Sequence, residues 1–371
     1  MDKQQAELER APRGGRWGRG SRRLAAAATL LLAIGLIAGC GGDDDDDEGD
    51  GNGEATAEEV SISNFGIVAP EEGNDYGWNQ QAVEAAEQVA GDLGIEVEVA
   101  DGAGYEDVTP ILRELATTDG AEFIVAQASG YNTTAPDVAA QTGVPTLVWD
   151  NPEANEPELV ANTGTDSEEG GYLAGVLAAN TTQTDHLGIV ISADDTNWNQ
   201  QAGGFVAGAR SVDPQIEISL AQIGEAGYAD AAGGRRVTSA VIADGADVVF
   251  GMGDGSSFGM LQAIEQADDV WFIDVIGDKT EIDEQGVLLS SVLWNFDGLY
   301  TRAIEDIGAG TFGQEGYTLN LENEGIALLQ TEHIDDELWT ELEDTRQQII
   351  DGEIEVPYTA EQSEVEALIN E

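Results

Sequence analysis

The chain has 371 residues, with 14 Lys+Arg against 73 Asp+Glu, a formal net charge of -59, two histidines, one cysteine and 41% apolar residues. That is long for a single hydrophobic core, and apolar enough for two packed domains, so wholesale disorder is excluded. The lone Cys excludes a disulfide framework, two His leave little for a zinc site or a catalytic dyad, and the charge shares the sign of nucleic acid; no metal, cofactor or nucleic-acid partner is expected.

The N-terminus comes first in chain order. Seven of the basic residues, Lys3, Arg10, Arg13, Arg16, Arg19, Arg22 and Arg23, precede an apolar run from Leu24 to Ala38 that ends at Gly39-Cys40. The run is too short to span a bilayer, where about 20 residues are needed. A basic segment, a short apolar segment and small residues before a cut site make residues 1–39 a secretory signal peptide. Ile37-Ala38-Gly39-Cys40 resembles a lipobox, whose Cys becomes the lipidated N-terminus; Ser21-Arg22-Arg23 leaves general and twin-arginine export both open. Residues 40–59, with Asp43 to Asp47 in a row, form an acidic, self-repelling tether. The expected location is the outer face of the cell membrane, anchored through Cys40. So acidic a surface needs strong salt screening and points to a halophile's habitat.

Beyond the tether the chain contains itself twice. Asp75-Tyr76-Gly77-Trp78-Asn79-Gln80-Gln81-Ala82 returns as Asp195-Thr196-Asn197-Trp198-Asn199-Gln200-Gln201-Ala202. In the same order, Ile95 to Val99 is echoed by Ile216 to Leu220, Gly104-Tyr105-Glu106-Asp107 by Gly227-Tyr228-Ala229-Asp230, Asp119 to Val125 by Asp244 to Phe250, and Val144 to Trp149 by Val270 to Val275. Apolar strand-like runs precede each copy of the first motif, and helical spacing follows it. Strands alternating with helices predict an α/β protein of two doubly wound parallel-sheet lobes, with residues 60–162 plus about 289–330 in the first and 163–288 plus about 331–371 in the second. Val160 to Thr165 and Leu288 to Trp294 serve as crossings in a multi-strand hinge, and Trp339 to Ile350 is a late amphipathic helix.

Ligands of open parallel sheets sit beyond the carboxyl ends of the strands. Two facing lobes would therefore set Asp75, Trp78 and Asn79 against Asp195, Trp198 and Asn199, with Trp294 a third aromatic. Indoles offer flat apolar faces, and carboxylates and carboxamides hold hydroxyls and ring nitrogens. The bland alternative has the two Asp capping helices and the Trp packing in cores. Gly251 to Gly255 is a tight strand-end loop that lines a ligand at most, and Gly277-Asp278-Lys279-Thr280 lacks the earlier Gly of a phosphate loop. Lys279, His186 and His333 read as surface residues.

These segments together resemble the BMP (basic membrane protein, purine nucleoside-binding) family of ABC-transporter substrate-binding lipoproteins. The carriers are Asn74 to Gln80, Gly170 to Ala178, Phe205 to Arg210, Asp213-Pro214, Asp244 to Val249 and Val287 to Val292. The resemblance implies a type I periplasmic-binding-protein fold, no enzymatic activity, action as a monomer, and a permease and ATPase as partners. It implies a nucleoside-like ligand held by Asp75, Trp78, Asn79, Ser129, Gly130, Asp195, Gly253 and Asp278, joined by Asp254 from the strand-end loop and by Trp198 and Trp294 from the aromatic argument. Trp294 stands where many members have Lys, and Ile276-Gly277-Asp278-Lys279 replaces a family D-x-D-Q, changes that suit a free base or another small polar ligand. A sugar or autoinducer receptor of the same fold stays open, as does an exported nucleoside hydrolase using an Asp pair.

Overall fold

A computed structural model describes residues 62–225 and 227–371. The signal segment, Cys40 and the acidic tether lie outside the described residues. The first half runs β1 (Asn64–Val68), α1 (Trp78–Leu93), β2 (Glu96–Ala100), α2 (Thr109–Thr117), β3 (Ile124–Ala126), α3 (Thr134–Thr142), β4 (Thr146–Trp149), β5 (Val160–Thr165) and α4 (Ser167–Thr181). The second half repeats this as β6 (His186–Ile191), α5 (Thr196–Val212), β7 (Glu217–Gln222), α6 (Ala231–Asp244), β8 (Val248–Met252), α7 (Ser257–Ile264), β9 (Trp271–Ile276), β10 (Leu288–Trp294) and α8 (Phe296–Ala309). β11 (Tyr317–Leu319), β12 (Ile326–Leu328), α9 (Asp336–Ile350) and α10 (Gln362–Ile369) close the chain.

Two six-stranded sheets result, ordered β11-β5-β4-β3-β1-β2 and β12-β10-β9-β8-β6-β7. Within each half the pairing is parallel and in matching register: Ile67 faces Val125 in the first sheet, and Ile189 faces Phe250 in the second. β1 and β6 are wholly buried and apolar after their first residues, Asn64 and His186, as interior strands covered on both faces must be. β2, reading Glu-Val-Glu-Val-Ala, carries its charges at a sheet edge. α1 ends at Gly94, whose φ of 68° supplies the left-handed cap that glycine adopts without strain. Among the described residues no helix is long and apolar enough to cross a membrane.

The lobe boundaries differ from the sequence expectation at three places. Thr163 to Thr165 stay in the first sheet, pairing with β11. Residues 289–294 belong to the second, because β10 hydrogen-bonds to β9 on one side and antiparallel to β12 on the other. β12 joins that second sheet too, so residues 326–328 leave the first lobe. The chain therefore crosses just after β5, just after β10 and between β11 and β12. The helices following the first two crossings change sides: α4 packs on α5 and α8 packs on α1.

The α4–α5 contact is made by backbone. A Cβ on Gly171 or Gly175 would stand 2.1 Å from the carbonyl oxygen of Gln201 or Phe205, and one on Gly204 or Gly208 would stand 2.0 or 2.1 Å from that of Glu168 or Tyr172. Four glycines spaced four apart on two helices let the axes approach until Cα–H groups meet carbonyls. The late helix α9 begins three residues before its expected start, capped by Asp335, whose side chain accepts from the Glu337 and Leu338 amides.

Two residues read as surface are inside. His186 is buried at the start of β6, its Nε2 2.8 Å from Ser219 Oγ. Lys279 is 2% exposed: its ammonium lies 3.0 Å from Asp274 Oδ2 and donates to the Val275 carbonyl at 2.9 Å. Asp274 itself is fully buried and takes a further hydrogen bond from Ser257 Oγ at 3.0 Å. A lysine reaches into such a place only when a carboxylate waits there. His333 is exposed, its ring 4.8 Å from that of Trp271.

Candidate functional site

Eight loops leave the carboxyl ends of β1, β2, β3, β4, β6, β7, β8 and β9, and they gather where the two sheets face one another. In the β1–α1 loop, Asp75 is buried and its carboxylate accepts from the amides of Gly77, Asn79 and Gln80 at 2.9, 3.2 and 3.0 Å and from Asn79 Nδ2 at 2.7 Å. Both oxygens are occupied by the start of α1, so capping is what Asp75 does here. Asn79 is likewise enclosed, its Oδ1 accepting from the Glu71 amide.

Trp78 faces its own lobe. Its indole N–H donates to the Gln127 carbonyl at 3.0 Å, and its ring meets those of Trp149, Phe296 and Trp294 edge-on at 4.7, 5.5 and 5.9 Å. Gln127 fastens the cluster, its Oε1 accepting from Trp149 Nε1 and the Tyr300 hydroxyl. Trp294 is therefore a buried member of this cluster. Trp198 is buried too, donating to Ser192 Oγ at 2.9 Å inside the second lobe. The tryptophans serve as packing, and Trp78→Ala is expected to lower stability by about 2 kcal/mol, less than for a fully buried aromatic, as read from the urea midpoint without ligand.

The remaining candidates divide. Asp195 caps α5 through the Asn197 amide and accepts from the Tyr228 hydroxyl at 3.0 Å. Ser129 donates to Asp150 Oδ2 at 2.5 Å, and beside it a Cβ on Gly130 would find open space. Gly253 is locked in place, since a Cβ would stand 2.1 Å from Ser256 Oγ. Asp278 is exposed and turned onto the Thr280 amide of its own loop. Asp254 reaches across to the first lobe, accepting from the Trp78 amide at 3.2 Å. Tyr76, Asp150 and Ile276 hold left-handed φ values of 52, 56 and 70°, so strained backbone collects at these strand ends.

Electrostatics outlines the rest of the cleft. Desolvation raises the Asp150 carboxyl although solvent reaches the residue, with Asp195 adding to the rise and the Ser129 hydroxyl opposing it. Burial, followed by Asp75 and Glu71, pushes Asp254 up to about 8, against the pull of the Trp78 amide and Lys279. Glu71 is raised by burial and Asp75. Two tyrosines, Tyr105 and Tyr228, are raised first by burial and then by these same carboxylates, Glu71 and Asp254 around Tyr105, and Asp195 and Asp254 around Tyr228. Tyr105 adds to the rise at Tyr228. Tyr105 is 60% exposed, the most open of four exposed large hydrophobic side chains among the described residues.

Tyr105 and Tyr228 thus stand beside these carboxylates, and motif reasoning passed over both. The Gly104-Tyr105 and Gly227-Tyr228 echo held the clue, because equivalent loops of a duplicated lobe meet at the same place. Acidic acceptors beside two phenol rings can bind a planar or hydroxylated molecule rich in donors. Among the described residues no group of three or more His, Cys, Asp or Glu is placed to hold a metal ion.

A family model, ABC transporter substrate-binding protein PnrA-like, matches residues 62–360. The ABC transporter nucleoside-binding protein BmpA of Lactococcus lactis is 26% identical over 366 residues, covering 91% of this chain and 99% of its own. An ABC transporter solute-binding protein of Conexibacter woesei superposes with a TM-score of 0.69 at 23% identity, over 80% of this chain and 99% of its own. One from Aeropyrum pernix gives 0.70 at 18% identity, over 83% and 97%.

Proposed function

Since the chain belongs to the PnrA-like family of ABC transporter substrate-binding proteins, which bind small molecules and are not enzymes, we propose that its ligand is nucleoside-like, enclosed between the lobes and passed to a membrane permease and ATPase. The hydrolase alternative falls with the family assignment. The carrying observation is the pairing of Tyr105 and Tyr228 with Asp150, Asp195 and Asp254 around one cleft. Phenol rings stack on a base, and carboxylates accept from ribose hydroxyls and ring N–H groups. Lys279, the one lysine among the described residues, is turned away into its pair with Asp274, so a phosphorylated ligand would meet carboxylates where it needs cations. An unphosphorylated nucleoside or free base suits that field. The relative from Lactococcus lactis, described as nucleoside-binding, supports the same reading.

The proposal includes export, acylation at Cys40 and a tether through residues 40–59, supported by the basic and apolar runs before the lone Cys. The protein then works as a monomer outside the cell, in strong salt consistent with its charge of -59.

Thermal unfolding in molar salt, against nucleosides, bases, nucleotides and monosaccharides, tests the ligand. At 100 times Kd a true ligand adds about 2.7 kcal/mol, several degrees in Tm. Nucleosides are expected to give this shift and nucleotides none. Tyr105→Ala and Tyr228→Ala should each weaken binding roughly tenfold, the usual loss of one stacked base. A shift with monosaccharides alone would assign the cleft to sugars.

A further inference from the structure

We propose that Asp254 is a positioning residue that latches the lobes shut, capping the first-lobe helix α1 from across the cleft. The N-cap residue of α1 is Gly77, which offers no side chain. Asp75 satisfies the amides of Gly77, Asn79 and Gln80, and the Trp78 amide falls between them. The acceptor it finds is Asp254 Oδ1, 176 positions away in the other lobe. A helix of 16 residues thus has its first turn completed by the opposite half of the protein.

The surrounding contacts are shaped for this approach. A Cβ on Gly77 would stand 2.8 Å from Asp254 Oδ1 and 3.1 Å from its Cα. One on Gly277 would stand 2.6 Å from the Tyr76 carbonyl oxygen and 3.1 Å from the Gln81 side chain. Glycine at both positions, one per lobe, lets the β1–α1 loop enter between the ends of β8 and β9. The Tyr76 ring then meets Phe258 of α7 edge-on at 5.7 Å.

The latch is one-sided. In the aligned repeat the position of Asp254 is taken by Ser129, which donates to Asp150 within its own lobe. The duplicate loop at Asp195 is capped by that residue itself and braced by Tyr228. Closure therefore rests on the first lobe's loop entering the second.

Closing also sets Asp254 against Asp75 and Glu71, with Lys279 beneath and the Trp78 amide ahead. In the open form the carboxyl returns to water and to its ordinary range near 4. The closed form accordingly binds the extra proton. Closure is favoured fully below about pH 4, weakens as pH rises, and levels off above about 8, where the latched carboxyl has ionised. Oδ1 accepts from Trp78 in either state, so the latch loosens with pH and does not vanish.

The test uses the full chain in molar salt, following the Trp78 amide by hydrogen exchange and the radius of gyration by X-ray scattering. Asp254→Ala is expected to speed exchange at Trp78 about tenfold, as for losing one hydrogen bond, and to enlarge the radius. Asp254→Asn keeps the acceptor but cannot ionise, so its radius should stay flat between pH 5 and 9 while the wild-type radius grows. Gly77→Ala gives a second route to an open form with Asp254 intact. Unchanged protection and radius in Asp254→Ala would overturn the proposal, and so would a wild-type pH profile in Asp254→Asn. A fall in Tm of the Ala variant that also loosens amides in β6 and β8 would mean a structural role only. No ligand enters these readouts, so a failure here is separate from a failure of the nucleoside reading.

Discussion

Replacing Lys279 with methionine is expected to destabilise the protein by about 3–5 kcal/mol, the usual result of stranding one member of a buried ion pair. Asp274, fully buried, would keep only the Ser257 hydroxyl and nearby backbone as partners. Burial already raises its carboxyl, with Lys279 the main influence pulling it down. Without the ammonium the pKa climbs further, and the native state must take up a proton that the unfolded chain releases near pH 4. The cost should therefore be slight at pH 4 and grow as pH rises. Urea unfolding of Lys279→Met at several pH values reads this directly. The double variant with Asp274→Leu should recover much of the loss, because an apolar pair of similar volume needs no desolvation.

The second large effect concerns the glycines between α4 and α5. Alanine at Gly171, Gly175, Gly204 or Gly208 is expected to cost about 3 kcal/mol or more each, because the added methyl meets a carbonyl oxygen of the neighbouring backbone and no side chain can move aside. The gain in helix propensity, about 1 kcal/mol, is too small to offset it. Gly91 supplies the contrast. It lies on the exposed side of α1 with nothing within 4 Å of a built Cβ, so Gly91→Ala should raise stability by about 0.5–1 kcal/mol. Gly171→Ala combined with Gly204→Ala should cost less than the two losses added, since helices once pushed apart accommodate the second methyl. Equilibrium unfolding of these variants beside the wild type separates the outcomes.

Much of the architecture was legible because duplication wrote it twice. Periodicity alone marks a buried strand, but two copies in one order fix where each strand ends and the next helix begins. The same clue pointed to the cleft, since loops that correspond in two facing lobes must meet. It was less informative about direction. Trp78 stands at a helix start, where one position can face either a core or a ligand, and only packing with Trp149 and Phe296 decides. Lys279 was misread because its partner Asp274 lies five positions back on a strand whose apolar neighbours hide a single buried charge. Tyr105 and Tyr228 sit in loops, where hydrophobic periodicity says nothing. The lobe boundary near residue 289 was missed because β10 is equally apolar whichever sheet it joins, and hydrogen bonding to β9 and β12 settles the matter.

The reciprocal placement of α4 and α8 bears on the protein's origin. Each half ends in a helix that packs on the other half, α4 against α5 and α8 against α1. A half of this design standing alone would leave its last helix off its own lobe. It would have found cover by trading that helix with a second copy, as in a domain-swapped homodimer. Fusion of the two genes would have frozen the exchange into one chain. Once joined, the copies were free to diverge, and a serine on one side and an aspartate on the other gave unequal jaws to what began as a symmetric pair.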